Sequence, residues 1–241
     1  MSVERVVVRR ARPSDAAARA QLLRDAYAAL NNDAFMYFFF HEATLQAVVL
    51  VGAGLFIFFG CGLGTLAALP VLAAVIVFLA VQLAHDHMAS VQAARLRTER
   101  SGWVAERRGP PRPPGSGAPA RVAVERDGGA GAGAGAGALV GTVGVAASRA
   151  AEGGWLQGLA VAPAWRRRGV GRALEAAARE AAARELRYGA LHAVTSALQP
   201  AARAILHDAG WQCTAAYARP LLGAALTLPL ARLERDLVEP A

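Results

Sequence analysis

From Gln46 to Ala84 the chain carries no charged residue, and the stretch reads QAVVLVGAGLFIFFGCGLGTLAALPVLAAVIVFLAVQLA. About 20 apolar residues suffice to cross a hydrocarbon core of about 30 Å, and this run is close to twice that length. Gly60-Cys61-Gly62-Leu63-Gly64 interrupts it near its middle, and Pro70 follows. Such residues punctuate helices, so the run predicts two apolar helices, 45–59 and 66–84, joined at the Gly-rich turn. The competing arrangement is a hairpin buried in a soluble core. Soluble helices normally keep one polar face, and neither arm has one.

The flanks bear on topology. Arg9, Arg10, Arg12, Arg19 and Arg24 precede the run, and Arg95, Arg97, Arg100, Arg107 and Arg108 follow it. The positive-inside bias places both ends in the cytosol. The hairpin either crosses twice or dips in and returns, and its short first arm and apolar turn favour the re-entrant form. Phe35, Tyr37, Phe38, Phe39 and Phe40 form an aromatic cluster just before it, suited either to a headgroup boundary or to a core.

Outside this run the sequence is that of a folded domain. Of its 241 residues 55% are hydrophobic, too many for a largely disordered chain. Net charge is +8, and all 26 basic residues are Arg. The guanidinium is always charged and forks onto phosphate oxygens, so a phosphate-bearing ligand, an anionic membrane or nucleic acid are the permitted partners. No nucleic-acid motif or Arg/aromatic interleaving is present, and nucleic acid is not expected. Two cysteines, Cys61 and Cys213, support neither a disulfide framework nor a Cys-rich zinc site, and Cys213 reads as a small core residue. His85-Asp86-His87 reads as the polar boundary of an apolar helix, so no metal is expected. Met1 to Arg12 lacks the apolar stretch of a signal peptide.

Val3–Val8 predicts a strand, and Pro13-Ser14-Asp15 a helix start, with Ser14 or Asp15 as the cap. Residues 85–100 look helical and polar. Further strands are expected at 103–106, 121–126, 139–146, 155–161, 191–195, 211–218 and 224–233, with helices at 169–187 and 201–208. Gly189 is a plausible C-cap for the first of these helices, and Gly210 ends the second. Glu175/Arg179 and Glu180/Arg184 are i,i+4 pairs in the favourable order. GPPRPPGSGAPA at 109–120 and the Gly/Ala alternation at 128–138 read as flexible loops.

One segment is specific. Leu159 to Leu174 reads L-A-V-A-P-A-W-R-R-R-G-V-G-R-A-L: a strand, a Pro loop, then a helix opening at Gly169-Val170-Gly171. A helix N-terminus offers unpaired N–H groups and about half a positive charge, and glycines let a phosphate approach that backbone. Arg166, Arg167, Arg168 and Arg172 add fixed charge. The ligand this pattern predicts is a pyrophosphate with further phosphate nearby.

This segment resembles motif A of the GCN5-related N-acetyltransferase (GNAT) superfamily, [QR]-x-x-G-x-[GA], with Arg166, Gly169 and Gly171 at its fixed positions. VVVRRARPSDAAARAQLL is similar to the first strand and helix of that family, and TSALQPAARAILHDAGW to its last helix and the Gly-aromatic after it. The apolar insertion after the first helix resembles the membrane-bound N-acetyltransferase 8 group. The resemblance implies an α/β fold with a mixed, mostly antiparallel sheet flanked by helices. It divides the chain into a first strand and helix (1–44), a membrane hairpin (45–85) and the remaining domain (86–241). It further implies acetyl-CoA as co-substrate, held by Leu159, Ala160, Val161, Arg166, Arg167, Arg168, Gly169, Val170, Gly171 and Arg172, and direct transfer of acetyl to a primary amine. The bilayer is contacted through 46–84, and the endoplasmic reticulum is the expected location, with the catalytic domain cytosolic. Since the first strand and helix precede the hairpin, both its ends must lie on one side of the membrane.

The catalytic pattern departs from the family. The usual acid, a Tyr four residues before the Gly of the last helix, is here Leu206. The Glu that related membrane enzymes carry four residues before the L-x-V is here Trp155. Glu152, Tyr217 and His207 are the candidate substitutes, with Tyr188, His192 and Cys213 behind them. These departures motivate an alternative reading, a non-catalytic acyl-CoA-binding or scaffold protein on the same fold.

Overall fold

The computed structural model describes residues 3–109, 121–126, 137–148, 153–222 and 226–237. Most of the predicted Pro/Gly and Gly/Ala loops, and Glu152, lie outside these residues. Eight strands form one sheet: β1 (Val3–Arg10), β2 (Ser101–Arg108), β3 (Arg121–Arg126), β4 (Leu139–Ala147), β5 (Gly153–Val161), β6 (Ala190–Ser196), β7 (Gln212–Leu222) and β8 (Leu226–Asp236). Their spatial order is β3-β1-β2-β4-β5-β6-β8-β7. Only β1/β3 and β5/β6 pair in parallel, so the sheet is mixed and mostly antiparallel, as expected.

Six α-helices accompany the sheet: α1 (Ala16–Ala28), α2 (Asn31–Phe39), α3 (Glu42–Phe59), α4 (Leu63–Arg95), α5 (Val170–Arg184) and α6 (Pro200–Asp208). Helix α5 buries Val170, Leu174, Ala177, Ala178, Ala181 and Ala182 against one face of the sheet. Their spacing of three and four residues makes a continuous apolar stripe. That stripe meets Val6, Val8, Val143, Val145, Leu156 and Leu191 in the main core. Helix α1 lies over β4 and β5 and packs along α4. In β1 the consecutive Val6, Val7 and Val8 are all buried, which is the pattern of a strand covered on both faces.

The two apolar helices form, with different limits from those expected. The Gly-rich turn is there, with Gly60 in the left-handed region at φ 61°. The second arm does not stop near 84: α4 continues through the polar stretch as one helix to Arg95, about 50 Å at 1.5 Å per residue. Nothing in 85–95 breaks it, since a change of polarity does not interrupt backbone hydrogen bonding. None of the apolar stretch of α3 is buried, and only 6% of that of α4. Phe56, Ile57, Phe58, Leu63, Val71 and Leu83 are all exposed.

The hairpin is rooted where α2 and the base of α4 meet the domain. Ala34, Phe38 and Val81 form a second buried cluster, with Tyr37, Val77, Leu198 and Leu228 against it. The aromatic stretch thus divides: Phe38 is core, and Phe40 is exposed.

Two buried guanidinium groups tie the segment before the hairpin to the segment after it. Arg9 of β1 bonds Asp15 (2.7 and 3.1 Å) and Glu106 of β2. Arg19 of α1 bonds Glu99, Thr142 Oγ1 of β4 (2.8 Å) and the Val143 carbonyl (3.3 Å). Asp15 does not cap α1 with its side chain, as the sequence suggested; its carboxylate accepts from the Arg12 N–H (2.8 Å) and from Arg9 instead. A buried cation competes better for that oxygen than a helix N–H does.

Glu175 pairs with Arg179 as expected, and it is also buried and accepts from Trp211 Nε1 at 2.9 Å. Two smaller expectations are corrected. Past α5 the left-handed residue is Arg187 at φ 53°, and Gly189 is not the cap. Cys213 is exposed, on the edge strand β7.

Burial alone would raise the Asp15 carboxyl, but the hydrogen bonds from Arg9 and Arg12 outweigh it and hold it below its ordinary value. The stabilisation is therefore present above the unfolded value of about 3.9 and is lost as pH falls through the lower folded value. Asp15→Asn leaves a buried cation half-paired and should cost about 3 kcal/mol, read as a lower denaturation midpoint of the solubilised protein, with the wild-type advantage vanishing well below pH 4. Glu180→Gln, at the half-exposed pair with Arg126, should change stability by about 0.5 kcal/mol or less.

Candidate active site

The site begins where two strands part. β5 and β6 pair only over Gly153/Ala190, Gly154/Leu191 and Trp155/His192. β5 continues to Val161 and β6 to Ser196, so a wedge opens between them beyond Trp155. The cause is visible in the β4–β5 register. Thr142 faces Ala160 and Gly144 faces Gln157, so Gly158 and Leu159 together oppose Val143. This is a β-bulge, which bends the strand that carries the extra residue. Gly158 takes φ 62° there, a conformation that side-chain-bearing residues rarely adopt.

The bulged strand presents backbone donors to the wedge. Ala162 N–H bonds Val140 O on β4 at 2.9 Å. Strand alternation then turns the N–H of Val161, and of Leu159 two residues earlier, to the opposite edge. The Val161 carbonyl, on that same edge, accepts from Arg166 Nε at 3.1 Å.

At the mouth of the wedge α5 begins. Gly169 is its N-cap at φ 81°, and a Cβ placed on it would meet nothing within 4 Å. Arg167 is also left-handed, at φ 61°. Consecutive turns of this kind bring backbone N–H groups into an anion-holding concavity. The four arginines divide by role. Arg166 braces the loop, and Arg172 pairs with Asp208 of α6. Arg167 is exposed, and Arg168 Nε is buried without a hydrogen-bond partner. Open space over a glycine-started helix, beside an unsatisfied guanidinium N–H, fits a phosphate group. Gly171 has a different duty: a Cβ there would stand 2.8 Å from Ile205 of α6, so it permits close packing of α5 on α6.

At the closed end of the wedge sits a polar group on the face covered by α1. The His192 ring lies 5.4 Å from that of Trp155. His192 Nδ1 is 3.5 Å from Glu234 Oε2 and 3.5 Å from Arg232 Nη2. Arg232 also stands over the Trp155 ring at 5.3 Å. His192 is 4% exposed, so its imidazole is held rather than solvated.

The predicted catalytic residues are not assembled here. Tyr217 is exposed on β7, separated from β6 by β8. His207 is exposed in the last turn of α6. Tyr188 packs on the main core. Leu206 is 2% exposed within that core, so its position is occupied by packing. Glu234 and Arg232 were not singled out in the sequence. The alternation A-R-L-E-R puts both on one face of a strand, but nothing local says that this face meets His192. Among the described residues no group of His, Cys, Asp and Glu is arranged to hold a metal ion.

The Acetyltransferase (GNAT) family model matches residues 95–211. No curated protein matches the chain. Among solved structures, yncA from Salmonella typhimurium, solved with its cofactor acetyl-CoA, is 17% identical, with 65% of this chain and 76% of that chain covered and a TM-score of 0.43. The spermidine/spermine N-acetyltransferase SpeG from Vibrio cholerae is 13% identical, over 64% of this chain and 76% of that one, at a TM-score of 0.41. A GNAT-family structure from Desulfovibrio desulfuricans is 16% identical, over 97% of this chain and 99% of that one, at 0.46. The family model's match over 95–211 takes in the parted strands and the glycine-started helix of the site, and over that stretch this chain is similar to the GNAT family.

Proposed function

We propose that the protein is a membrane-bound, acetyl-CoA-dependent N-acetyltransferase that moves acetyl directly to a primary amine. The observation that carries this reading is the wedge between β5 and β6, with backbone donors on one edge and the start of α5 at its mouth. Acetyl-CoA supplies the activated acetyl thioester. Val170 and Gly171 N–H, with Arg167 and Arg168, would hold its pyrophosphate, while Arg166 and Arg172 keep the loop and helix in place. Leu159 and Val161 N–H would donate to the carbonyl oxygen as it gains charge, in the manner of an oxyanion hole, and Ala160 fixes their direction by pairing to β4.

The new N–C bond forms as the C–S bond breaks, the thiolate leaving with the bonding electrons. The surplus amine proton needs an acceptor. His192, oriented by Glu234, stands at the closed end of the wedge and is the group best placed to receive it, directly or through water. Glu152 lies outside the described residues, and Tyr217 and His207 are both solvent-facing. A thiolate is a stable enough leaving group that the core leucine at 206 is compatible with transfer.

The membrane part of the reading rests on α3 and α4, both long and apolar enough to cross a bilayer and almost wholly unburied. This hairpin is also what aligns the chain with the membrane-bound N-acetyltransferase 8 group, with the domain cytosolic. Its arms differ in length, 18 residues against 33. The surplus of α4 lies in its polar end, so the apolar parts are better matched than the helices are.

Two measurements test this. Acetyl-CoA should bind the detergent-purified protein in calorimetry, and Gly169→Glu, which sets a carboxylate into the open space over the helix start, should weaken binding by 10²-fold or more relative to Gly169→Ala, which carries the same strain at φ 81° without the charge. No binding to the folded wild type would leave a non-catalytic protein on this fold. His192→Gln should lower kcat by about 10²-fold with acetyl-CoA affinity unchanged. Equal activity of the variant would remove His192 from the mechanism.

A further inference from the structure

The wedge has two approaches, and they differ in chemistry. The approach at α5 is basic. The other lies on the face covered by α1, α2 and α4, where apolar side chains surround Arg232, which stands opposite Val194. Val194, two residues along β6 from His192 and on the same face, is 41% exposed although Leu191, Ala193 and Thr195 on the opposite side are buried. Beyond it, Leu198 and Leu228 join Val77 and Val81 of α4 in one cluster. β5 and β6 run in the same direction, so the open end of the wedge is the end nearest Leu198. From His192 a path therefore leads along β6, past Val194, with Arg232 across from it, and Leu198, to the uncharged part of α4. Leu23 of α1 closes it from above, 3.5 Å from the Cβ position of Gly158.

We propose that the acceptor is a single-chain amphiphilic primary amine that enters from the bilayer surface, with its amine at His192 and its hydrocarbon chain along Val194 and Leu198. This deepens the N-acetyltransferase reading and rests on it. The path argues for a chain rather than a compact polar amine. It is continuous with the apolar surface of the hairpin, whose helix α4 reaches from the exposed apolar stretch to the domain without a break. The polar group at its closed end holds His192, Glu234 and Arg232, and within it the Glu234 carboxylate is the partner for an ammonium group.

The test uses the full chain in phosphatidylcholine nanodiscs with labelled acetyl-CoA and a series of n-alkylamines. At about fourfold per buried methylene, kcat/KM should rise about 10²-fold from butylamine to octylamine. Partition into the bilayer also favours longer chains, so the decisive comparison is with variants that share the same bilayer. Val194→Asp should flatten the chain-length dependence by at least tenfold with acetyl-CoA affinity unchanged. Val194→Ala, a milder change, should flatten it in the same direction by a smaller factor.

Binding is read separately by quenching with a mid-chain brominated dodecylamine, taken as the difference between wild type and Trp155→Phe. Wild-type quenching that Trp155→Phe removes supports the path. A rate independent of chain length, a dependence that Val194→Asp leaves intact, preference for spermidine, or acetylation of phosphatidylethanolamine in place of dodecylamine would each overturn the proposal while leaving an acetyltransferase. Failure to bind acetyl-CoA or to acetylate any amine would instead defeat the activity, and the quenching difference would still decide whether a chain occupies the path.

Discussion

The molecule depends on two arginines that close the domain across its own insertion. Arg9 and Arg19 precede the apolar hairpin, and their carboxylate partners Glu106 and Glu99 follow it. Each guanidinium is nearly removed from water, where an unpaired charge would be intolerable. Hydrogen-bonding geometry as well as charge sets the arrangement, since Arg19 also reaches Thr142 and a β4 carbonyl. Fixing these pairs fixes β1 beside β2, α1 over β4 and β5, and the two ends of the hairpin close together. Buried ion pairs add little net stability compared with apolar packing, but breaking one is costly.

The wedge follows from that closure and from one extra residue. With α1 held over β4 and β5, the bulge at Gly158 bends β5 away from β6 under Leu23. β6 loses its partner on one edge but keeps β8 along its whole length on the other. The gap is therefore bounded by rigid strands on both sides, and the donors on β5 are fixed before any ligand arrives. Such preorganisation is what makes backbone N–H groups effective against developing charge. The helix start at Gly169 stands at the mouth because the loop from Val161 is short and braced by Arg166.

Much of this was legible in the sequence wherever the signal was local. The uncharged run, its Gly-rich turn, the strand–loop–helix around Gly169 and nearly every strand follow from neighbouring residues alone. What could not be read was set by distant pairings. The Glu175/Arg179 pair was legible from its spacing, but the burial of Glu175 and its bond to Trp211 were not. Cys213 looked like core because a small apolar residue often is, but β7 ends up at the sheet edge. The wedge has no sequence signature at all, since it arises where β5 and β6 cease to pair. The group at His192 was equally hidden, because Arg232 and Glu234 reach it only through the β6–β8 register.

The closure across the hairpin also has a history within each molecule. Arg9 and Glu106 are 97 residues apart, and Arg19 and Thr142 are 123 apart. At synthesis rates of about 5–20 residues per second, β1 and α1 are complete for on the order of 5–20 s before their partners exist. During that interval a three-valine strand and a helix with a cation destined for the core have nothing native to pair with. The only folded unit available to them is the hairpin emerging next, whose helix α4 packs along α1. Nascent chains of this protein should therefore acquire α1–α4 packing first, and the sheet should form afterwards, growing from β1 and β2 through β4 as the later strands emerge.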